Sequence, residues 1–430
     1  MKPSGRKVSA GTCIMLILTL IVVIGSVMVF IRLSSGNPID FSRLSSNESK
    51  TGLSDSGKKA ASEEELQRKR QMSEQYYAIK DESTKPSSGG SGGRFTLTVA
   101  GTAALEGDIR KSCYLSELKK YDVEDIMMLL RSNVQSDINI VFLENLLMDN
   151  EKVSDIIAPS AAAEMLSTAG FNMAACGFQG SWNKKADGIA ETRSHLSKAG
   201  ITPVGIYDPG DLNRINIMNC GGIPTAFLQY TGTISQNDRK KMDKENMSGA
   251  VPAADAELIS ADIAQARSRG ADLVIVLMNW GSRAKAPDKK QKALAQQIAD
   301  AGADIIIGSG SRIPQAAEYI EATGNNGKQV LCIWSLGVTI TKDRSSAGRM
   351  AGYLFQAEFM MDDAHHVTIS EPSFTPVYTW MYTQDKRTYY RCLAANGTIP
   401  DGMEVKQQNA MSKAADVTRE ALKDSPLAEK

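Results

Sequence analysis

Two polar loops in the second half of the chain hold the residue types best suited to binding chemistry. One apolar, β-branched run (ADLVIVLM) ends at Asn279, and another (ADIII) ends in the segment GSGSR, which closes with Arg312. A guanidinium can bind a carboxylate or phosphate through two parallel hydrogen bonds, and the hydroxyls of Ser309 and Ser311 could add to them. A helix over residues 315–321 would contribute backbone N–H groups at its start. The loop therefore predicts either an anion site or an ordinary strand-to-helix turn.

Nucleophilic catalysis and zinc binding find little support in the sequence. The serines lie outside any GxSxG pattern, and none of the three histidines ends a predicted strand. His195 falls on a predicted helix, where we expect it to be exposed, and His365 and His366 fall in a predicted turn. Cys176 lies in an apolar run, which favours a buried thiol. Six cysteines without a CxxC spacing predict neither a disulfide framework nor a zinc site.

Strands and helices alternate through the middle of the chain. Strands are predicted at residues 95–101, 138–145, 171–177, 201–207, 223–231, 271–278, 304–307 and 329–337. Helices are predicted at residues 115–133, 161–169, 188–199, 258–269 and 289–301. Three late strands in antiparallel sequence follow. This order predicts an α/β or α+β layered domain over residues 94–385, and the polar residues 386–430 are interpreted as a helical or disordered tail.

The first 93 residues predict a membrane anchor and a stalk. Three basic residues precede an uncharged run long enough to span a hydrocarbon core of about 30 Å. We therefore predict a cytoplasmic N-terminus at residues 1–7, a transmembrane signal anchor at 8–32 and a flexible stalk at 33–93, with the main domain extracytoplasmic. A cleaved signal peptide is the alternative, but its apolar region is usually only about 7–15 residues long.

The stalk and the overall composition limit the expected partners. The segment Glu63–Lys80 predicts a charged helix, which is either a solvated spacer or an oligomer contact, and PSSGGSGG at residues 86–93 predicts a hinge. The formal net charge of the chain is zero and 6% of its residues are aromatic. Nucleic acid is therefore not an expected partner, whereas the membrane is.

Six segments of the folded domain resemble, in matching order, the CapA family, also called PgsA-like, which is linked to capsule and poly-γ-glutamate synthesis. The segments are SDINIVFLE, GFN before a strand, AGITPVGIY, ADLVIVLMNWG, AGADIIIGSGSRIPQ, and GK followed by WSLG. The family fold is similar to that of the calcineurin-like metallophosphoesterases. The resemblance therefore implies a metallophosphatase-like layered sandwich, with two β-sheets flanked by helices.

The chain departs from this family where the metal ligands of the fold are expected. Thr102 stands in place of an Asp, Asn279 in place of the His of His-Trp-Gly, and residues 308–312 in place of Gly-His-His-Pro-His, whereas Glu144 keeps its position. The family-site positions that form the predicted residual pocket are Thr102, Glu144, Gln179, Asn183, Asn279, Ser309, Ser311 and Arg312. With one carboxylate and no imidazole among them, we expect no catalytic metal and no cofactor.

Three functions follow as alternatives. The first is a membrane-anchored, non-catalytic component of the synthesis or export of capsule, poly-γ-glutamate or another envelope polymer. Its partners would be proteins of envelope polymer synthesis or export, or an anionic polymer. The second is an active hydrolase or ligase whose rearranged site uses Glu144 with Glu106 or Asp108. The third is a cell-surface ligand-binding or scaffolding module.

Overall fold

The computed structural model describes residues 92–149, 152, 154–208, 214–245, 247–323 and 327–430. The predicted anchor and the charged helix of the stalk lie outside these residues. Within them, no helix is both long enough and apolar enough to cross a membrane. The described residues other than 399–403 belong to one compact unit.

The described residues form nineteen strands and seven α-helices. The strands are β1 Arg94–Ala103, β2 Tyr114–Leu115, β3 Lys120–Tyr121, β4 Ile138–Leu143, β5 Leu146–Leu147, β6 Ile157–Ala158, β7 Met173–Ala175, β8 Thr202–Val204, β9 Asn216–Cys220, β10 Ile223–Thr231, β11 Leu273–Asn279, β12 Ile305–Ser309, β13 Ala317–Glu321, β14 Gln329–Ile333, β15 Val338–Ile340, β16 Ala351–Met361, β17 Val367–Gln384, β18 Arg387–Ala394 and β19 Ala428–Glu429. The helices are α1 Gly107–Cys113, α2 Ala161–Thr168, α3 Lys185–Lys198, α4 Gln236–Lys244, α5 Ala256–Ser268, α6 Lys289–Asp300 and α7 Val405–Leu422.

Two mixed sheets carry this unit. The nine-stranded sheet has the order β18-β17-β16-β1-β4-β7-β8, with β15 beside β1 and β19 beside β17, and the six-stranded sheet has the order β13-β14-β12-β11-β10-β9. Strands β1, β4, β7 and β8 are parallel, as are β10, β11, β12 and β14. The late strands β16, β17 and β18 are antiparallel. Two of the three predicted late strands merge into β17, and β18 lies in the predicted tail. Parallel strands joined by crossovers end at one edge, so each sheet presents a row of loops there.

The two sheets pack face to face, and helices cover their outer faces. In β11, Ile275 and Leu277 face the core between the sheets, whereas Val274 and Val276 face the cluster that includes α5 and α6. This alternation follows from the two-residue period of a strand, and a strand covered on both faces is apolar throughout. Helices α2 and α3 cover the nine-stranded sheet in the same way. The predicted mixed α/β fold with helix-flanked sheets is confirmed.

One predicted helix, at residues 115–133, is wrong. The segment forms the β2–β3 hairpin and two 3-10 helices, Glu124–Ile126 and Met128–Asn133. Ile126 and Leu130 are nonetheless fully buried. A spacing of three or four residues places side chains on one face of a 3-10 or an α-helix, so the apolar pattern alone could not separate the two.

A second predicted helix, at residues 315–321, is also wrong. The segment is the edge strand β13, which pairs antiparallel with β14 from Ala317 opposite Ile333 to Glu321 opposite Gln329. Only Ala317 of the strand is buried. Backbone pairing with the neighbouring strand therefore outweighs the helix propensity of these residues.

The predicted boundary at residue 385 falls between two paired strands. Gln384 at the end of β17 is opposite Arg387 at the start of β18, so the sheet continues beyond it. Helix α7 buries Met411 and Ala414, and the Thr418 hydroxyl donates to the carbonyl of Gly352 at 3.3 Å. The strands and helix after residue 385 therefore belong to the fold, because they carry their own apolar face and ladder partners.

Candidate functional site

The site lies where parallel strands of both sheets end. The register between β1 and β4 shifts at Gly101, where a Cβ atom would lie 2.5 Å from the Gly337 carbonyl oxygen, so only glycine fits. The Thr102 backbone N–H donates to that carbonyl at 3.0 Å. The Thr102 hydroxyl then lies 3.1 Å from the hydroxyl of Ser309 at the end of β12. The contact joins the strand ends of the two sheets.

Glu144 is the centre of the hydrogen-bond network at these strand ends. It follows β4 directly and is 8% exposed. Its Oε1 accepts hydrogen bonds from Asn279 Nδ2 at 3.1 Å and from Thr102 Oγ1 at 3.2 Å. Its Oε2 accepts from Nε and Nη2 of Arg312 at 2.9 and 2.6 Å. Both carboxylate oxygens are thus engaged by protein donors, as a buried charge requires.

Arg312 bridges two carboxylates. Besides its contacts with Glu144, its Nη1 donates to Glu106 Oε1 at 2.7 Å, and the backbone N–H of Lys342 donates to the other Glu106 oxygen at 3.3 Å. Burial lowers the pKa of Arg312, but the charges and hydrogen bonds of Glu144 and Glu106 outweigh this effect and raise the pKa overall. Arg312 also has a left-handed backbone, with φ at +57°. Such strain in a non-glycine residue persists where surrounding contacts hold it.

Asn279 is held from its other side by residues that the sequence did not indicate. Its Oδ1 accepts hydrogen bonds from the hydroxyls of Thr233 at 2.9 Å and Thr231 at 3.3 Å. These contacts fix the amide so that Nδ2 points to Glu144. Thr231 ends β10. Polar residues at the end of that apolar strand were therefore the sequence signal that could have indicated these contacts with Asn279.

The serines of the GSGSR loop do not form an anion cradle, which was one of the two alternatives for this loop. The Ser311 hydroxyl bonds to the Ile313 carbonyl and to the Ser335 hydroxyl, both at 2.8 Å. The Ser309 side chain is fully buried against Thr102. Because β13 follows the loop, no helix start supplies N–H groups. The cradle made of both hydroxyls, a helix start and Arg312 is therefore excluded.

Two predicted pocket residues lie apart from this network. Gln179 and Asn183 are exposed, in the turns between β7 and α3. The strand end beneath them is held by Gln229, which no sequence pattern indicated. Its side-chain amide accepts from the backbone N–H of Gly177 and donates to the carbonyl of the same residue, both at 2.9 Å. A Cβ at Gly205 would lie 1.7 Å from Gln229 Oε1, so glycine is required there.

The large side chains near the site serve packing. Phe178 and Trp182 are each 5% exposed, and Trp182 belongs to the core under α3. Trp280 donates from Nε1 to the Trp334 carbonyl at 3.0 Å and stacks on the Trp334 ring. Trp182 and Trp280 are therefore packing residues.

The donor set does not fit a two-metal centre. Such a centre needs several carboxylates and imidazoles around two cations. Here the carboxylates of Glu144 and Glu106 share the guanidinium of Arg312. In the part of the chain that the structure describes, no group of three His, Cys, Asp or Glu residues is arranged to hold a metal ion. Asp108, the other acid considered, is exposed and pairs with Lys111.

Nucleophilic groups elsewhere are poorly placed for catalysis. Burial raises the pKa of the Cys176 thiol to about 12, so it is not a thiolate at neutral pH. His195 is less exposed than predicted, at 21%, with Nε2 3.9 Å from Asp149 Oδ2. His365 and His366 fall in the turn between β16 and β17, as predicted. All lie outside the Glu144 network.

Three solved structures match this chain only distantly. The NAD nucleotidase NadN of Haemophilus influenzae covers 76% of the chain and 61% of its own length, with 11% identity and a TM-score of 0.40. A phosphatase of Mycoplasma pneumoniae covers 66% of the chain and 94% of its own, with 13% identity and a TM-score of 0.38. A hypothetical protein of Thermus thermophilus gives a TM-score of 0.36 with 13% identity, over 65% of the chain and 99% of its own. These similarities are too distant to carry an argument.

Sequence relatives are more informative. The PGA biosynthesis protein CapA of Bacillus subtilis (strain 168) is 30% identical over 139 residues, which are 32% of this chain and 35% of the relative. The capsule biosynthesis protein CapA of Bacillus anthracis is 28% identical over 155 residues, which are 35% of this chain and 36% of the relative. The aligned parts thus span about a third of each relative.

A family profile covers much more of the chain. The profile described as bacterial capsule synthesis protein PGA_cap matches residues 96–343, well over half of the 430 residues. That range includes both sheets up to β15 and every residue of the Glu144 network. The resemblance to CapA is confirmed, and the chain belongs to the PGA_cap family of bacterial capsule synthesis proteins.

Proposed function

We propose that this protein is a membrane-anchored, extracytoplasmic and non-catalytic component of the synthesis or export of an anionic envelope polymer such as poly-γ-glutamate. Family membership supports the connection with capsule, and the relatives are named for capsule or PGA biosynthesis. The apolar run at residues 8–31 supports the anchor. The layering of helix, sheet, sheet and helix is compatible with descent from a metallophosphatase-like fold.

One observation carries the non-catalytic part of the proposal. The Arg312 guanidinium binds Glu144 with two hydrogen bonds and Glu106 with a third, at the strand ends where the fold would place metal ligands. A fixed organic cation thus supplies the positive charge there. Unlike a metal ion, a guanidinium cannot lower the pKa of a bound water or open a coordination position for substrate.

Metal content tests this directly. The full chain, solubilised in detergent and dialysed without chelator, should hold less than about 0.1 equivalents of Mn, Fe or Zn by mass spectrometry, because the donor set does not fit. Phosphoester and γ-glutamyl substrates should show no turnover above a mock preparation. Tightly held stoichiometric metal, or turnover that a Glu144→Gln change abolishes, would instead support the hydrolase or ligase alternative.

Complementation tests the role in polymer formation. A cell deleted for this gene should lose or reduce its envelope polymer, and the wild-type chain should restore it. Thr233→Val, which removes a hydroxyl on Asn279 without removing a charge, should restore it equally. If the deletion leaves polymer yield unchanged, the proposed function fails, and the surface-scaffold alternative gains support.

Fractionation tests the location. The chain should stay with membranes after alkaline extraction, and protease added outside spheroplasts should degrade residues 94–430. Replacing the run 8–31 with a cleavable secretion signal should release a soluble form. Recovery of the wild-type chain in the soluble fraction would contradict the anchor.

A further inference from the structure

An exposed turn follows the edge strand β18 and holds the dipeptide Asn396-Gly397. Both residues are exposed, and neither belongs to a helix or a strand. The full sequence has one other Asn-Gly pair, Asn326-Gly327, and Asn326 lies outside the described residues. An asparagine followed by glycine is especially prone to react with its own backbone, so this turn is a candidate site of covalent change.

The reaction at such a pair needs only the chain and water. The backbone nitrogen of Gly397 attacks Cγ of Asn396 and closes a five-membered succinimide ring. The side-chain nitrogen of Asn396 leaves as ammonia and takes the proton of the Gly397 N–H with it. Water then opens one of the two C–N bonds of the ring, which gives aspartate or isoaspartate. Glycine favours the closure because it has no Cβ to obstruct the attack and its backbone rotates freely.

The nitrogen of Gly397 is available for this attack. Within the described residues, its N–H makes no hydrogen bond. A Cβ added at Gly397 would come no closer than 3.8 Å to any atom beyond the adjacent residues, so no neighbour holds the turn rigid. Asn409 is also exposed, but the N–H of Ala410 lies inside α7, where helical hydrogen bonds hold it. Of these two exposed asparagines, only Asn396 therefore has a reactive neighbour.

The Asn396 side chain also holds the segment that contains β19. Its Nδ2 donates a hydrogen bond to the carbonyl oxygen of Lys430. The Lys430 N–H in turn donates to the Phe374 carbonyl at 2.9 Å, where β19 lies parallel to β17. Deamidation replaces the amide donor with a carboxylate, which accepts hydrogen bonds only and would face another acceptor. Isoaspartate in addition lengthens the backbone of the turn by one methylene group.

We propose that Asn396 is a site of spontaneous deamidation and that its conversion loosens β19 from the turn after β18. The loosening is partial, because Arg419 still binds the Glu429 carboxylate through Nε at 3.0 Å and Nη2 at 2.9 Å. The loss of one hydrogen bond should make local opening of residues 428–430 about fivefold more frequent and leave the rest of the sheet unchanged. The inference does not depend on the proposed function.

Peptide mapping of the full chain tests the modification. The chain in detergent is incubated for increasing times in mildly acidic and mildly alkaline buffer and is then analysed by mass spectrometry. The peptide with Asn396 should become about 1 Da heavier and split into aspartate and isoaspartate forms, faster in alkaline buffer, whereas Asn409 should stay intact. Gly397→Ala should slow the conversion at least about fivefold, because a Cβ obstructs ring closure. An Asn396 that stays intact, or that converts no faster than Asn409, would overturn the assignment.

Hydrogen exchange at residues 428–430 tests the consequence. Asn396→Asp reproduces the aspartate product and should raise the exchange rate of these amides about fivefold at neutral pH. Asn409→Asp makes the same charge change on α7 and should leave that rate unchanged. If Asn396→Asp exchanges as slowly as the wild-type chain, the loosening of β19 is wrong. Neither experiment measures polymer formation, so both results are independent of the test of the proposed function.

Discussion

Two buried carboxylates, Asp262 and Glu144, each take two hydrogen bonds from one arginine, in different surroundings. Asp262, on α5, is bound by Nε and Nη2 of Arg214 through separate oxygens, and the Tyr230 hydroxyl donates to it at 2.9 Å. Glu144 is bound by Arg312 through a single oxygen, which leaves the other oxygen for Asn279 and Thr102. Thus Arg214 uses both oxygens of Asp262, whereas the Glu144–Arg312 pair belongs to a larger network.

The charge balance differs in the same way. Asp262 and Arg214 match one to one, and the pKa of Arg214 is raised chiefly by its hydrogen bond with Asp262. Arg312 instead serves two carboxylates. The Asp262 pair joins α5 to the segment before β9, and Tyr230 adds a hydrogen bond from β10. The Glu144 network has two carboxylates around one cation at the strand ends.

The largest expected effect is a difference in the free energy of unfolding between variants of the two pairs. Arg312→Ala should lower the free energy of unfolding by about 3–4 kcal/mol, because it leaves two clustered carboxylates without their cation. Arg214→Ala should cost about 2 kcal/mol, because only one carboxylate loses its partner and Tyr230 still donates to it. Urea denaturation of both variants at pH 7 measures the difference. An equal loss in the two variants would mean that Glu106 adds nothing to the role of Arg312.

Backbone conformation sharpens the comparison further. Because Arg312 has φ at +57°, Arg312→Gly should be about 1 kcal/mol more stable than Arg312→Ala. Arg214 is not among the residues with positive φ, so Arg214→Gly should be less stable than Arg214→Ala. Thermal unfolding of the four variants checks this reversal of sign. The same order at both positions would show that the left-handed backbone of Arg312 relaxes once the guanidinium is lost.

Divalent cations offer a third contrast. In Arg312→Ala, the carboxylates of Glu144 and Glu106 face each other without a cation, so Mn²⁺ at about five times its dissociation constant should restore about 1 kcal/mol. Arg214→Ala has a single carboxylate and should gain nothing measurable. Melting temperatures with and without Mn²⁺, with an EDTA control, decide the point. Equal stabilisation of both variants would indicate nonspecific binding.

An exposed ion pair gives the smallest expected effect. The hydrogen bond and charge of Asp272, 3.0 Å from Nδ1 of His365, raise the pKa of His365. The stabilising effect of the His365–Asp272 pair is complete below the pKa of an unfolded histidine, about 6.5. It is lost as pH rises through the higher pKa of folded His365. The melting temperature of the wild-type chain should therefore fall slightly as pH rises above about 6.5, and His365→Gln should remove this fall. His366→Gln, at the neighbouring exposed histidine, is the control and should keep the slope.

The sequence was sufficient for the scaffold but not for the contacts within it. Apolar runs with polar ends correctly indicated that Asn279 and Ser309 end neighbouring parallel strands, because burial on both faces of a sheet leaves a clear pattern. The contact between Glu144 and Arg312 joins residues that are 168 positions apart, and no local pattern encodes such a pair. The helix predicted at 315–321 failed because its residues suit either state until β14 supplies hydrogen-bond partners.

The final residues of the chain connect parts that fold from distant segments. Strand β19 adds to the nine-stranded sheet through β17, while the Ser425 hydroxyl accepts a hydrogen bond from the backbone N–H of Ala317 in the six-stranded sheet. The Lys430 N–H donates to the Phe374 carbonyl. This segment follows every other strand of both sheets in the chain. Removing residues 425–430 would therefore take away one contact from each sheet at once.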